Sequence, residues 1–260
     1  MPTILITGCS SGFGLDIAKY FLARDWHVIA TMRTPREDLF PASPLLRLLA
    51  LDVTNAASMS AALAEAGPID VLVNNAGVGW LNAVEGTPME VARTIFETNT
   101  IGTMAMTQAV LPQFRARRSG VVVNVTSTVT LRPLPLLSIY SASKAAVNAF
   151  TESLALELKE FNIQVRLVLP GRAPDTRFGD NARAKIQENG GFHEAYAGQV
   201  ERIVANWAQD AGPVTHSEDV AEAVWRAVTD ETAPMRIPAG ADAVIWAAEA
   251  ENVLKASFTS

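Results

Sequence analysis

The segment Thr7-Gly8-Cys9-Ser10-Ser11-Gly12-Phe13-Gly14 carries most of the information about the fold of this chain. It follows the short apolar run Thr3–Ile6 and leads into the amphipathic segment Gly14–Arg24. A strand, a glycine-rich turn and a helix in this order place free backbone N–H groups where the pyrophosphate of a dinucleotide can lie. Gly8 permits the tight turn and Gly12 the close approach of a phosphate, while the last glycine lets the helix pack closely. A glycine-rich turn can also be purely structural, so this interpretation depends on the elements around it.

Short apolar runs rich in β-branched residues alternate with longer segments of helical periodicity along the chain. This alternation is typical of βαβ units and a parallel sheet, whose strands are apolar on both faces because helices cover both. Since such connections are right-handed, we predict an α/β fold with a doubly wound, Rossmann-type parallel sheet of about seven strands. No linker or repeat divides residues 1–260, so we expect a single domain. The predicted strands are Thr3–Ile6, His27–Thr31, Leu46–Leu51, Val71–Val73, Val121–Val125, Val165–Leu169 and Met235–Pro238, and the predicted helices are Gly14–Arg24, Ala56–Glu65, Val91–Arg117, Ser138–Glu160, Asp219–Thr229 and Ala243–Lys255.

The stretch from Pro170 to about His216 interrupts this alternation. It has no strand-like run and is rich in Gly, Asn, Asp and aromatic residues. A long irregular segment in a compact domain is usually functional. We therefore predict an irregular substrate lid over about residues 172–216.

The composition excludes several classes of protein. The chain has 21 Lys and Arg against 27 Asp and Glu, a net charge of −6, with 49% hydrophobic and 18% charged residues. Disorder is excluded, and an acidic chain without a basic run lacks the cations that bind nucleic acid. The single cysteine, Cys9, excludes an internal disulfide and a multi-thiolate zinc site, and we expect no metal. Without a signal peptide or an apolar stretch of roughly 18 residues, we expect a cytoplasmic protein that does not bind membranes.

Tyr140 and Lys144 lie four residues apart in an alanine-rich segment that is predicted to be helical. At this spacing two side chains share one helix face, with Cβ atoms about 5–6 Å apart. A neighbouring ammonium favours the phenolate, so we expect Lys144 to lower the pKa of Tyr140 toward the range of a general acid. Ser127 precedes Tyr140 by 13 residues at a predicted strand end, where its hydroxyl can donate to a carbonyl oxygen. An exposed helical pair would explain the tyrosine and lysine alone, and the position of Ser127 at the strand end argues against it.

Several motifs occur in a fixed order along the chain. The glycine segment has the spacing Gly-x-x-x-Gly-x-Gly, which differs from the Gly-x-Gly-x-x-Gly of the broader Rossmann family. It resembles the short-chain dehydrogenase/reductase superfamily, in the common branch of about this length, and the resemblance covers nearly the whole chain. The motifs that carry it after the glycine segment are Asp52-Val53, Asn74-Asn75-Ala76-Gly77, Asn99, Ser127, Tyr140-x-x-x-Lys144, Pro170-Gly171 and Arg236-Ile237-Pro238-Ala239-Gly240-Ala241-Asp242.

The resemblance implies an NAD(P)-dependent oxidoreductase that acts on CH–OH or C=O groups. It implies that Tyr140 protonates the carbonyl oxygen, or deprotonates the alcohol in reverse, and that Ser127 polarises that oxygen. Lys144 would lower the tyrosine pKa and hold the nicotinamide ribose, and Asn99 would support a proton-relay water. The implied dinucleotide site consists of Gly8, Ser10, Ser11, Gly12, Phe13, Gly14, Arg33, Asp52, Val53, Asn75, Ala76, Gly77, Tyr140, Lys144, Pro170, Gly171 and Thr176.

Individual contacts follow from the same resemblance. Asp52 is expected to accept from the adenine amino group, and Asn74 to brace the sheet. The family commonly has a threonine four residues after the Pro-Gly pair, in contact with the nicotinamide amide. That position is Asp175 here, and we expect Thr176 to take its place.

The end of the second predicted strand decides the expected cofactor. NAD sites place an acid near this strand end for the ribose 2′-OH, whereas this chain has Arg33 and no acid before Glu37. A guanidinium binds a 2′-phosphate well, so NADP(H) is expected in preference to NAD(H). Arg36 lies nearby as a second candidate cation.

The expected substrate contacts are largely apolar. They come from Gly79-Trp80-Leu81, Val129–Leu137 and the lid, whose aromatic residues are Phe178, Phe192, Tyr196 and Trp207. Such a wall suits a lipophilic ketone, although half of these side chains could instead pack into the protein. We expect an NADPH-dependent carbonyl reductase or secondary-alcohol dehydrogenase with a Tyr-Lys-Ser-Asn mechanism. An oxidative hydroxysteroid- or retinol-type dehydrogenase fits the same motifs, and a non-catalytic dinucleotide-binding sensor is the alternative outside enzymes.

The two longest predicted helices bear on assembly. Val91–Arg117 and Ser138–Glu160 carry apolar residues beyond one face. Helices of this kind commonly pair across a two-fold axis, and the resemblance implies the same. We expect a homodimer or homotetramer.

Overall fold

Seven parallel strands form one sheet in the computed structural model, which describes residues 1–257. The strand order is β3-β2-β1-β4-β5-β6-β7, with every neighbouring pair parallel. The predicted fold class is confirmed, and each predicted strand is present with its ends moved by at most two residues. The strands are β1 (Thr3–Ile6), β2 (His27–Met32), β3 (Leu46–Ala50), β4 (Val71–Asn74), β5 (Gly120–Val125), β6 (Ile163–Pro170) and β7 (Arg236–Ala239).

Helices cover both faces of this sheet. Successive residues of a strand point to opposite faces, so Ile4 and Ile6 of β1 join one apolar core while Leu5 joins the other. The first core lies under α1 and α8, and the second lies under α2, α4 and α5. The helices are α1 (Gly12–Leu22), α2 (Ala56–Ala66), α3 (Met89–Phe96), α4 (Gly102–Arg117), α5 (Ser138–Leu158), α6 (Phe178–Glu188), α7 (Ala197–Gln209), α8 (Ser217–Thr229) and α9 (Ala241–Ser257).

The strand order reverses between β1 and β4. From β1 the chain builds β2 and β3 on one side of the sheet, then crosses back to place β4 on the other side. Ligands of doubly wound sheets bind in the crevice at the carboxyl ends of the strands where this reversal occurs. The glycine segment follows β1 and the segment from residue 75 follows β4, so both predicted cofactor loops border this crevice.

The predicted helix Val91–Arg117 is not one regular helix. A π-helical turn, Glu97–Ile101, joins α3 to α4 and buries Asn99 and Thr100. π-turns are rare and are concentrated at functional sites. The irregular turn therefore places a predicted site residue, Asn99, facing the interior.

The prediction of an irregular lid was wrong in part. No strand occurs between residues 171 and 235, as expected, but the lid contains α6 and α7. The apolar residues Val200, Ile203, Val204 and Trp207 recur at the spacing of one helix face, which is a signal for α7 that the sequence does carry. Helix α6 is strongly polar and buries only Ala182 and Ile186, so its periodicity is weak.

Candidate active site

The glycine segment lies against the loop that follows β4. Gly8 and Gly12 have φ angles of 77° and 55°, a conformation that side-chain-bearing residues rarely adopt. A Cβ atom on Gly8 would lie 2.8 Å from the Cα atom of Ala76. A Cβ atom on Gly14 would lie 2.4 Å from the amide nitrogen of Asn75, so this glycine is required for close packing, as predicted.

Hydrogen bonds fix the two loops to one another. The hydroxyl of Thr7 accepts from the backbone N–H groups of Asn75 and Ala76, both at 3.0 Å. The side-chain amide of Asn75 donates to the carbonyl oxygens of Thr7 and Gly8. Asn75, predicted to contact the cofactor, therefore uses its side-chain donors to brace the glycine loop. Asn74 links β4 to β5 and α4 through Asn124 and Thr107, which is the bracing role expected of it.

The start of α1 offers free donors beside this cradle. Ser11 precedes the helix in an extended conformation, and its side chain makes no capping hydrogen bond. The N–H groups of a first helical turn have no partner within the helix and favour an anion. The segment from residue 8 to residue 14 thus combines a helix N-terminus with glycines in the left-handed conformation at residues 8 and 12.

The ends of β2 and β3 hold the residues that were predicted to recognise the adenosine portion. Arg33 is exposed, and it contributes to a lowered pKa of Asp52, whose main cause is hydrogen bonding from the backbone and side chain of Thr54. No ion pair holds Arg33 among residues 1–257, whereas Arg36 pairs with Asp38 at 2.5 Å. Of the two candidate cations, Arg33 is therefore the free one.

The four predicted catalytic residues are all buried near the ends of β4 and β5. They are Ser127, Tyr140, Lys144 and Asn99. The hydroxyl groups of Ser127 and Tyr140 are hydrogen-bonded to each other. The ammonium group of Lys144 donates to the carbonyl oxygen of Val125 at 3.0 Å. A Cβ atom on Gly77 would lie 3.4 Å from that ammonium nitrogen and 3.3 Å from the side-chain oxygen of Asn99. Both predicted groups therefore converge on the backbone of Gly77.

The side chain of Asn99 joins three segments of this site. Its oxygen accepts from the backbone N–H of Val78, and its amide donates to the carbonyl oxygen of Val78 and to the hydroxyl of Ser143. The Ser143 hydroxyl donates in turn to the carbonyl oxygen of Tyr140. Both amide protons of Asn99 are thus used within the protein, and the chain of contacts sets the position of the first turn of α5.

Burial decides the pKa values of the catalytic pair. It raises the pKa of Tyr140 far above its usual value of 10, although the hydrogen bond with Ser127 opposes the shift. Burial also lowers the pKa of Lys144 to about 8. The expectation that Lys144 lowers the tyrosine pKa was wrong for this arrangement, because burial of the phenol raises its pKa more than the hydrogen bond with Ser127 lowers it. Phe178 of the lid packs on the tyrosine ring and contributes to this burial.

The first residues of the lid cross the whole site. Thr176 lies beside the glycine loop, with its Cβ atom 3.6 Å from where a Cβ on Gly12 would be. Phe178 packs on Tyr140 with ring centroids 5.7 Å apart. Thr176 therefore lies next to the glycine segment, and Phe178 lies next to Tyr140.

Part of the predicted substrate wall is a third apolar core. Trp80 is 2% exposed, packs with Ile95 and Ile186, and donates from its indole N–H to the hydroxyl of Thr87. Phe192 packs against the same cluster. Of the two alternatives left open for the wall, Trp80 follows the second, because it packs into the protein between α6 and the loop after β4.

The base of the lid is held by residues that sequence reasoning did not select. One carboxylate oxygen of Asp242 accepts from the backbone N–H of Arg172 at 2.6 Å, and the other lies 2.7 Å from the Thr215 hydroxyl. The backbone N–H of Thr215 donates to the carbonyl oxygen of Arg172, which closes the loop. A Cβ on Gly171 would lie 2.2 Å from the Asp242 carboxylate. Gly171 was predicted as a cofactor residue. The structure adds a second reason for a glycine at this position, because any side chain here would collide with the Asp242 carboxylate. In the sequence, Asp242 is marked only as the last residue of the motif that begins at Arg236.

Within residues 1–257, no group of three or more His, Cys, Asp or Glu side chains could hold a metal ion. Over the same residues, no helix has the length and apolar character to span a bilayer. Cys9 is buried, which raises the pKa of its thiol to about 12.

Comparisons with known proteins agree with this geometry. A family model described as short chain dehydrogenase matches residues 2–187. The 3-ketodihydrosphingosine reductase of Bacteroides thetaiotaomicron is 36% identical over 242 residues, which cover 91% of this chain and 87% of that protein. Retinol dehydrogenase 8 of Homo sapiens is 40% identical over 181 residues, 65% of this chain and 58% of that protein.

Solved structures show the same similarity over nearly the full length. A short-chain dehydrogenase from Streptomyces avermitilis has a TM-score of 0.82 at 33% identity, covering 100% of this chain and 96% of that one. The closed form of serine dehydrogenase complexed with NADP+ has a TM-score of 0.73 at 30% identity, covering 92% of this chain and 94% of that one.

Proposed function

This chain belongs to the short-chain dehydrogenase family and is an oxidoreductase, and we propose that it is an NADPH-dependent reductase of largely apolar ketones. The observation that carries the proposal is the buried Tyr140 hydroxyl, hydrogen-bonded to Ser127 and covered by an aromatic lid residue. The tyrosine is protonated at neutral pH and can donate its proton to a carbonyl oxygen, with the charge of Lys144 available to stabilise the phenolate that forms. We propose that residues 1–260 act as one catalytic domain, with residues 172–216 as its lid.

The residues around the crevice fit a dinucleotide. The uncapped start of α1 and the positive-φ glycines leave backbone amides for a pyrophosphate, and Thr176 lies beside them. When bound, the nicotinamide supplies the hydride. Gly77 leaves space next to Lys144 for a ribose.

The chain's own groups handle the proton. The Ser127 and Tyr140 hydroxyls bind the carbonyl oxygen, and the oxygen takes the tyrosine proton as the carbon is reduced. Lys144 stabilises the phenolate that remains. Asn99 acts as a positioning residue, because its hydrogen bonds run through Ser143 to the backbone of Tyr140. A non-catalytic sensor would not need the buried Tyr140–Ser127 pair.

Activity should be tested on purified protein with NADPH and NADH. Small methyl ketones, aryl ketones and long-chain ketones form the panel, with the matching alcohols and NADP+ for the reverse direction. We expect NADPH oxidation with at least one apolar ketone. Turnover of alcohols alone would favour the retinol-type dehydrogenase suggested by the similarity to retinol dehydrogenase 8. A lack of turnover with every compound, together with a lack of cofactor binding, would contradict the proposal.

The cofactor preference is tested at Arg33. A charge-assisted hydrogen bond contributes roughly 1.5–3 kcal/mol, about one to two decades in affinity. Arg33→Ala should therefore raise the KM for NADPH by about that factor and leave NADH nearly unchanged. Arg36→Ala is the matched control, since Asp38 already binds that guanidinium. If the parent prefers NADH, or if both variants behave alike, Arg33 does not select the cofactor.

The exposed face of α5 supports a proposed homodimer or homotetramer. Small or apolar residues recur along this face at helical spacing and are exposed. They are Ala142, Ala145, Ala149, Ser153 and Leu156, and the last of these is 77% exposed. Small side chains allow close approach of a second helix across a two-fold axis. Light scattering should give a mass of at least twice 27.8 kDa at micromolar concentration, and Leu156→Lys should lower it. A single-chain mass for the parent would contradict the assembly.

We also propose a cytoplasmic location. The only cysteine is buried and unpaired, which is typical of a chain that does not use disulfides.

A further inference from the structure

We propose that Phe178 limits the size of the ketone that can reach Tyr140, and that Gly79 is the residue that makes room for Phe178. The inference rests on the proposed role of Tyr140 as proton donor. It concerns two residues that no catalytic motif includes.

Phe178 is placed between the catalytic tyrosine and the loop after β4. Its ring centroid lies 5.7 Å from that of Tyr140, with the ring planes inclined at 57°. Tyr140 is 7% exposed, whereas Phe178 is 40% exposed. The phenylalanine is therefore the outer wall of the site, in contact with the tyrosine and with part of its own surface in solvent.

The far side of the ring is in contact with backbone. A Cβ atom on Gly79 would lie 2.7 Å from two carbon atoms of the Phe178 ring, a distance that no packed structure tolerates. The next nearest group, the methyl of Ala182, would be at an ordinary 3.4 Å. Any side chain at residue 79 would thus displace the ring of Phe178 and little else.

A ketone must bring its oxygen to the Tyr140 and Ser127 hydroxyls. One of the two substituents on the carbonyl carbon then extends over the side of the tyrosine ring on which Phe178 packs. That substituent must either fit beneath the phenylalanine or push it outward. Phe178 consequently discriminates between ketones by the size of this substituent.

The test compares butan-2-one with 4-phenylbutan-2-one, which share the methyl ketone and differ by one phenyl group. A single methylene in an apolar pocket changes specificity about 10–200-fold. Phe178→Ala should therefore raise the ratio of kcat/KM for the larger to the smaller ketone by at least about tenfold. Met89→Ala is the matched control, because Met89 is an exposed apolar residue of α3 that lies outside the predicted substrate wall. It should leave the ratio unchanged.

Gly79→Ala tests the steric coupling. Tyr140 blocks the ring on one side, so the added methyl should push it toward solvent and shift the ratio in the same direction by a few-fold. In the Phe178→Ala background the same substitution should have no effect on the ratio and little on the melting temperature. Additive effects in the double variant would overturn the proposed contact.

The proposal is overturned if Phe178→Ala does not raise kcat/KM for the larger ketone relative to the smaller one, whether or not the parent reduces the larger ketone. Failure of the proposed function looks different. It would appear as activity that survives Tyr140→Phe, or as a parent that reduces no carbonyl compound, while the Gly79–Phe178 coupling in melting temperature would still be measurable.

Discussion

Tyr140→Phe should fold like the parent, bind cofactor with unchanged affinity and lose at least about 10²–10⁴-fold in turnover. The substitution removes one hydroxyl and keeps the ring that packs on Phe178. Ser127 still accepts a hydrogen bond from the backbone N–H of Val129, so its oxygen is not left without a partner. The loss should fall on kcat more than on KM, because the missing proton is needed in the transition state.

Tyr196→Phe is the matched control for this prediction. Tyr196 lies in the lid, and its hydroxyl donates to Glu85 at 3.0 Å, away from Ser127. It should keep kcat within about twofold of the parent, since an exposed hydrogen bond contributes little. Turnover in Tyr140→Phe comparable to that in Tyr196→Phe would remove Tyr140 from the mechanism.

The sheet could be predicted because its strands are buried on both faces. Runs such as Val71–Val73 are continuous and apolar, and short runs of this kind between turn residues are typical of buried parallel strands. The catalytic spacing was equally informative, since residues four apart on a helix must share a face. The lid could not be predicted in detail, because polar helix α6 is stabilised by tertiary contacts of Ile186 with Trp80 and Ile95.

The pKa values in the site depend on burial, which the spacing of residues along the sequence does not determine. The helix spacing correctly places Lys144 near Tyr140, yet the sign of the tyrosine shift depends on whether water reaches the phenol. Phe178, 38 residues further along the chain, packs on the phenol ring and contributes to its burial. The contact between Asp242 and Gly171 is a similar case. Gly171 follows β6 and Asp242 lies in the first turn of α9, just after β7, so the two residues meet only because β6 and β7 are neighbours in the sheet.

Lys144→Met should lower turnover by at least about 10²-fold and also change the pH dependence. The buried ammonium has a pKa of about 8, against 10.5 for an exposed lysine. Below that pH its charge stabilises the phenolate that forms as Tyr140 gives up its proton. Ketone reduction by the parent should therefore decline as the pH rises through about 8, and Lys144→Met should lack that inflection. Lys159→Met, an exposed lysine beyond the end of α5, should keep both the rate and the inflection.

The same shift gives an independent measurement in the free energy of unfolding. Because the folded pKa lies below the unfolded one, the unfolded chain binds more protons between pH 8 and 10.5. Lys144 therefore adds stability as the pH rises through this window, and below it the buried charge is a cost. Denaturant titrations across the window should show this rise in the parent and in Lys159→Met, but not in Lys144→Met. A parent whose reductase rate shows no inflection near pH 8, and whose stability has the same slope as that of Lys144→Met, would mean that Lys144 is solvated and does not act on Tyr140.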